Sequence, residues 1–189
     1  MATRPRLREA LDNKGRWLRF WHRTRQRLKN IRIGTGPGGR QPWGQSTLSG
    51  IEQRRYGTYE EYVEQQRAKL LTLRPDWLAG YDTRYHQALR ARLGEHGLVG
   101  PGSSVLCLAA RIGTEVKAFL DLGCFAVGID LNPGAENRYV VTGDFHALQF
   151  PDQCVDAVFT NSLDHAFDLP RLLGEIRRVL RPEGLVVLE

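Results

Sequence analysis

The stretch "SSVLCLAARIGTEVKAFLDLGCFAVGID", Ser103 to Asp130, decides how this chain folds. It opens on an apolar run, Val105 to Ala110, that is short for a helix and does not alternate in polarity. A turn follows, then a helix-like pattern from Gly113 to Gly123, then a second apolar run that ends on Asp130. Apolar runs without alternation suit strands buried on both faces, the condition of a parallel sheet. Strand, helix and strand at this spacing form one βαβ unit.

The texture continues downstream. "YVVTGD" (139–144) reads as a short strand and "VDAVFTNS" (155–162) as a longer one. "DLPRLLGEIRRVL" (168–180) reads as a helix, and "GLVVLE" (184–189) as a strand. The expected fold is therefore α/β: a doubly wound, mostly parallel, Rossmann-like sheet with an N-terminal helical extension. Right-handed crossovers place its helices on both faces. Ligands of such sheets bind at the carboxyl ends of the strands, near the point where strand order reverses.

Upstream the chain divides into an arm (1–33), a Gly-rich linker (34–57) and a helical lead-in (58–98), followed by the α/β domain (99–189). The arm holds 11 Lys+Arg and 2 Asp+Glu within residues 1–32, a net of +9, in a chain whose net is +6. The remainder is thus mildly acidic, and the basic character belongs to the arm. In "GRWLRFWHRTRQRLKNI" (15–31), Trp17, Phe20, Trp21, Leu28 and Ile31 fall on one helical stripe flanked by arginines. Such a stripe docks on the protein's own core or a second subunit, lies on an anionic membrane surface, or grips nucleic acid. In the linker, "GTGPGG" (34–39) satisfies G-x-G-x-x-G, but Pro37 and Pro42 deny it the following helix that the pattern needs. The lead-in starts with Thr58 and Glu61 in capping-box spacing. "RPDW" (74–77) reads as a turn, and a second helix runs from Tyr81 to a stop at Gly94 or Gly97.

Composition narrows the classes. A hydrophobic content of 41% supports one sizeable core. No apolar run is long enough to span a bilayer, and no apolar segment follows the basic start as a secretory signal requires. Cys107, Cys124 and Cys154 are odd in number and sit in apolar surroundings, so they read as reduced core thiols of a cytoplasmic protein. No metal-ligand spacing occurs.

The strand ends pick out the candidate site. Asp130, 17 residues beyond Gly113, is placed to accept hydrogen bonds from both hydroxyls of a ribose; the alternative is a helix-cap or turn aspartate before "NPG". Asp144 suits the exocyclic amine of an adenine, with Phe145 packing on the ring; the alternative is an Asx-turn. After the fourth strand come Asn161, Asp164 and His165. His165 is the candidate general base, with Asp164 orienting it. The alternative is that Asp168 caps the next helix and His165 packs over the sheet.

The run "GDFHALQFPDQCVDAVFTNSLDHAFDLPRLLGEIRRVLRPEGLVVLE" (143–189) resembles class I S-adenosylmethionine-dependent methyltransferases, in particular their type-11 branch. Gly143-Asp144, Phe150-Pro151-Asp152, Asp156-Ala157-Val158, Leu163 to His165, Glu175 to Leu180 and Pro182 to Gly184 fit that family's slots in order. "VGIDLNP" (127–133) is similar to its second-strand motif, and the resemblance covers about residues 99–189.

The resemblance implies S-adenosyl-L-methionine as cofactor, with Asp130, Leu131, Gly143, Asp144, Phe145 and Asn161 among its contacts. It also marks a departure. The family's first motif is acidic-x-Gly-x-Gly-x-Gly, and here Cys107, Ala109, Arg111 and Gly113 fill those slots. A Cβ at Arg111 implies an altered backbone path. In compensation, Arg111 is placed to pair with the cofactor's carboxylate and Glu115 with its ammonium. The family's sheet has two further strands, so an end inside the fifth strand reads as a fragment.

The expected activity is methyl transfer to an O, N or C nucleophile of a small molecule, with His165, Asp164 and Asn161 as the catalytic candidates. The rivals are an RNA methyltransferase that grips RNA with residues 1–32, and an inactive binding module.

Overall fold

The computed structural model describes residues 43–45 and 52–189. The predicted helical arm and "GTGPGG" lie outside the described residues. Within the stretch read as a linker, β1 (Trp43–Gln45) and β2 (Glu52–Arg54) pair antiparallel, Trp43 opposite Arg54. Composition alone signalled a connector there, and a pairing of three residues on each side leaves too little periodicity to read.

Helix α1 (Tyr59–Lys69) begins where its capping box predicts. The Glu61 amide donates to Thr58 Oγ1 at 3.2 Å, and the Thr58 amide donates to Glu61 Oε2 at 3.2 Å. A single 3₁₀ turn (Leu70–Thr72) leads on to α2 (Pro75–His96). "RPDW" is not a free turn: Pro75 is the first residue of α2, where a missing amide hydrogen costs nothing. The helix stops at Gly97.

The domain proper follows the predicted order: β3 (Ser104–Leu108), α3 (Thr114–Asp121), β4 (Phe125–Asp130), β5 (Val140–Thr142), β6 (Val155–Thr160), α4 (Leu169–Val179) and β7 (Leu180–Leu188). The sheet order is β5-β4-β3-β6-β7, and every neighbouring pair is parallel. Strand order reverses between β3 and β6, which fixes the switch point of a doubly wound sheet.

Pleating assigns the core. Val105 and Cys107 of β3 face Leu89 and Leu93 of α2 and Val116 and Phe119 of α3. Leu106 and Leu108 face Leu172 and Ile176 of α4 and Tyr62 of α1. Both faces are thus apolar, which explains the unbroken hydrophobic runs. The three cysteines are free thiols, Cys107 and Cys124 buried and Cys154 half-buried.

The motif around α4 has a mechanical reason. Arg178 donates to the carbonyls of Leu148 and Phe150 and to Asp152 and Glu175, all at 2.8 Å. Glu175 Oε2 in turn accepts from the Leu148 amide at 2.6 Å. This knot ties the β5–β6 connection to α4. Asp168 caps α4 by accepting from the Arg171 amide at 3.0 Å.

Candidate functional site

The carboxyl ends of β3, β4 and β6 converge on a cavity of about 220 Å³. Ala109 and Arg111 line it from the loop after β3, and Asp130, Leu131 and Asn132 from the end of β4. Phe145 closes one side, and Asn161, Ser162, Asp164 and His165 close the other. Helix α1 roofs it with Tyr62, Gln66 and Lys69. A larger hollow of about 620 Å³ runs along the outer face of α1, between Tyr59, Val63, Leu71 and Asn132. It is open and far less polar, so the chemistry belongs to the smaller cavity at the switch point.

The loop after β3 is the first surprise. Ala109 has φ +55°, Arg111 φ +45° and Gly113 φ +83°. These are the positions that stand in the glycine slots, and all three keep the left-handed conformation that glycine favours. The expected change of backbone path is therefore absent: the loop follows a glycine-like course built from alanine and arginine. Each non-glycine residue held there costs roughly 1–2 kcal/mol, and such strain collects at ligand-binding sites. Gly113 itself is irreplaceable for space, since a Cβ would come within 2.7 Å of Tyr139 Cβ.

Asp130 anchors this loop. One carboxylate oxygen accepts from the Arg111 amide at 2.9 Å, the other from the Asn132 amide at 2.9 Å. A carboxylate has about four acceptor positions, so two stay open toward the cavity. The Tyr62 hydroxyl, buried at the cavity wall, has no hydrogen-bond partner among the described residues. A site with spare acceptors, an orphaned hydroxyl and the apolar faces of Leu131 and Phe145 fits a polar nucleoside ligand.

Other expected residues stand elsewhere. Asp144 does not line the cavity. One of its oxygens accepts from the His146 amide and ring Nδ1, each at 2.8 Å, and the other accepts from the Tyr59 hydroxyl. Burial pushes its carboxyl up, but the His146 hydrogen bonds outweigh this and hold it below the usual range. His146 Nε2 accepts from the amides of Phe167 and Asp168 at 3.1 and 3.2 Å. Of about four acceptor positions on Asp144, three are taken. This is the Asx-turn alternative, and the expected adenine contact stands off the cavity wall.

Gly143 is small for packing reasons, because a Cβ would approach Ile129 Cδ1 to 2.6 Å. Cys107 is buried beneath the sheet, facing α2 and α3. Glu115 is also buried, and desolvation lifts its carboxyl to about 7. It accepts from Asn161 Nδ2 at 3.4 Å, and the same nitrogen donates to the Tyr85 hydroxyl at 3.0 Å. Glu115 therefore steadies Asn161 rather than facing the cavity.

His165 lines the cavity but is no near-neutral base. Burial, followed by the charges of Lys69, Arg54 and Arg111, lowers it to about 3. Its Nδ1 is the acceptor facing Tyr56 Oη at 3.3 Å and Lys69 Nζ at 3.4 Å. Its Nε2 faces Asp164 Oδ2 at 3.7 Å. Burial raises the Asp164 carboxyl. No group of three His, Cys, Asp or Glu among the described residues is placed to hold a metal ion. No helix among them is long and apolar enough to cross a membrane.

Sequence reasoning offers the tyrosine-rich helix after Thr58 as a lid, but it does not single out Tyr62, Gln66 and Lys69 as site residues. Tyr62, Gln66 and Lys69 are spaced by four and three, which places them on one helical face. That spacing was the available signal. Spacing alone does not say which of these side chains meet the strand ends of a domain beginning 30 residues later.

Comparison with known proteins adds the chemistry. Residues 106–188 match the family described as "Methyltransferase domain". A demethylmenaquinone methyltransferase of Mycolicibacterium paratuberculosis is 34% identical over 116 residues, which are 58% of this chain and 49% of that protein. A ribosomal protein L11 methyltransferase of Streptococcus thermophilus is 36% identical over 97 residues, 48% of this chain and 29% of that protein. Among solved structures, a SAM-dependent methyltransferase from Aquifex aeolicus superposes with a TM-score of 0.48 at 16% identity, covering 58% of this chain and 69% of that one. The chain spans about half the length, or less, of these curated relatives.

Proposed function

We propose that the chain, whose residues 106–188 match the family described as "Methyltransferase domain", is a class I, S-adenosylmethionine-dependent methyltransferase that methylates an O, N or C nucleophile of a small molecule. One observation carries the reading. A strained loop with three left-handed residues stands at the switch point beside an aspartate that has open acceptor positions. A chain that had abandoned cofactor binding would have no reason to hold Ala109 and Arg111 in this conformation. This favours an enzyme over an inactive module.

When bound, S-adenosylmethionine supplies a methyl group already activated on a sulfonium. The tasks left to the protein are alignment and exclusion of water. Asp130 holds the ribose hydroxyls with its remaining acceptor positions, and Leu131 and Phe145 pack against the base. Arg111, whose guanidinium has no ion-pair partner among the described residues, takes the cofactor's carboxylate. Asn161, held by Tyr85 and Glu115, orients the acceptor. His165 stays unprotonated and acts as a hydrogen-bonding wall.

Helix α1 is the lid in this reading. The cavity is smaller than the roughly 300–1,000 Å³ usual for ligand sites, so α1 must give way to admit a nucleoside and then close over it. An enclosed roof of this kind suits a small acceptor. The arm on which an RNA-binding reading rests lies outside the described residues. Equilibrium dialysis against labelled S-adenosylmethionine and, separately, NAD tests the proposal. Saturable binding of the first alone is expected. A folded chain that binds no S-adenosylmethionine at about 1 mM, the upper end of ordinary enzyme affinities, ends it.

A further inference from the structure

Lys69 is the group at this site that the mechanism leaves unused. It lies at the end of α1, on the cavity wall nearest the loop after β6. Its ammonium donates to Gln66 Oε1 at 2.7 Å, one turn back on its own helix. Among the described residues its only other acceptor is His165 Nδ1 at 3.4 Å. That nitrogen has a single lone pair, and the Tyr56 hydroxyl stands closer to it, at 3.3 Å. Gln66 Nε2 donates to the Tyr56 oxygen at 2.9 Å, which leaves the Tyr56 proton directed at the imidazole. With one hydrogen on Gln66 and a second within reach of the imidazole it shares with Tyr56, at least one of the three ammonium hydrogens of Lys69 remains for a ligand.

The charge count points the same way. Among the described residues, no carboxylate pairs with Lys69. Burial, then the neighbouring Arg111 and Arg54, lowers its ammonium to about 8, so it is still charged at neutral pH. A buried ammonium beside other cations is costly unless an anion joins it. The acids of the cavity wall do not fill that place: neither Asp130 nor Asp164 stands within ion-pair distance of the Lys69 ammonium.

We infer that Lys69 is the binding point for a carboxylate on the methyl acceptor, so that the substrate is a small organic acid. The inference rests on the reading above, in which Arg111 takes the carboxylate of the cofactor. The two cations stand on different elements: Arg111 belongs to the loop after β3, whereas Lys69 belongs to α1, beside Gln66 and His165. A fixed cation at that point aligns the acceptor and selects against its neutral analogues.

The experiment uses the full chain first saturated with S-adenosylhomocysteine, which carries the cofactor's carboxylate, and then titrated with benzoate or succinate, with benzamide as neutral control. Benzoate or succinate should bind the saturated protein and benzamide should not. Lys69→Gln should weaken the acid about tenfold, the worth of one lost charge-assisted hydrogen bond, and leave S-adenosylhomocysteine affinity within about threefold. Lys69→Arg should retain the acid, because arginine keeps the charge and cannot act as a base. Failure of the saturated protein to bind either acid, or equal binding by wild type and Lys69→Gln, overturns the inference. So does binding that S-adenosylhomocysteine abolishes, since Lys69 would then serve the cofactor. Failure of S-adenosylhomocysteine itself to bind is seen before any acid is added, and it removes the underlying functional reading together with this one.

Discussion

Two acidic residues stand at the ends of neighbouring strands, and the protein treats them in opposite ways. Asp144, after β5, meets Tyr59 and both nitrogen donors of His146, and His146 closes the circuit on the amides of Phe167 and Asp168. Asp130, after β4, meets two backbone amides and keeps its other acceptor positions toward a cavity. The first corner is satisfied within the chain, and the second is complete only with a ligand. An aspartate and a histidine in hydrogen-bond contact look catalytic in isolation. What separates a structural pair from a working one is whether its open acceptor positions lie on a cavity wall.

The closed corner should show its role in stability. His146→Leu takes the acceptor from the Phe167 and Asp168 amides and removes the ring donor to Asp144, which keeps Tyr59 and the backbone amide of residue 146, and each such loss costs about 1–3 kcal/mol. The expected loss is about 4 kcal/mol, measured as a shift of the urea unfolding curve. A change under 1 kcal/mol would mean that the corner is not the structural network described.

The open side should show itself in acid. His165 has a folded value of about 3, below its ordinary 6.5. Between those values the unfolded chain takes up a proton that the folded chain refuses, so this contribution to stability is present above pH 6.5 and is lost as pH falls toward 3. The wild type should therefore lose more stability than His165→Gln over that window. Parallel stability curves for the two proteins would contradict the assignment.

The smallest effect concerns the strained loop. Ala109→Gly relieves a left-handed alanine and should raise stability by about 1 kcal/mol without weakening S-adenosylhomocysteine binding. If the substitution destabilises the fold, the glycine-like path is not the native one.

The order of elements was legible in the sequence because both faces of the sheet are covered, and apolar runs without alternation report that condition directly. The strand-end rule then offered Asp130, Asn161, Asp164 and His165, and the family resemblance added Ala109, Arg111, Leu131 and Phe145, all of which line the cavity. The rule overreached at Asp144. The Asx-turn to His146 is local, but the closure by Tyr59 spans 85 residues of sequence and depends on where α1 docks. The same docking hid Lys69, Gln66 and Tyr62. Periodicity reports which residues share a face, not what that face will meet. The loop after β3 was misjudged for another reason: residue type sets the cost of a left-handed conformation, while the Asp130 hydrogen bond to the Arg111 amide helps hold it.

The most direct test compares the two aspartates by calorimetric titration with S-adenosylhomocysteine. Asp130→Ala removes the open acceptor positions and should raise the Kd about 100-fold, the worth of two charge-assisted hydrogen bonds. Asp144→Asn should lower stability and leave the Kd of the folded protein within about threefold of wild type. If instead Asp144→Asn abolishes binding while Asp130→Ala spares it, the cavity at the β3–β6 switch point is not the cofactor site.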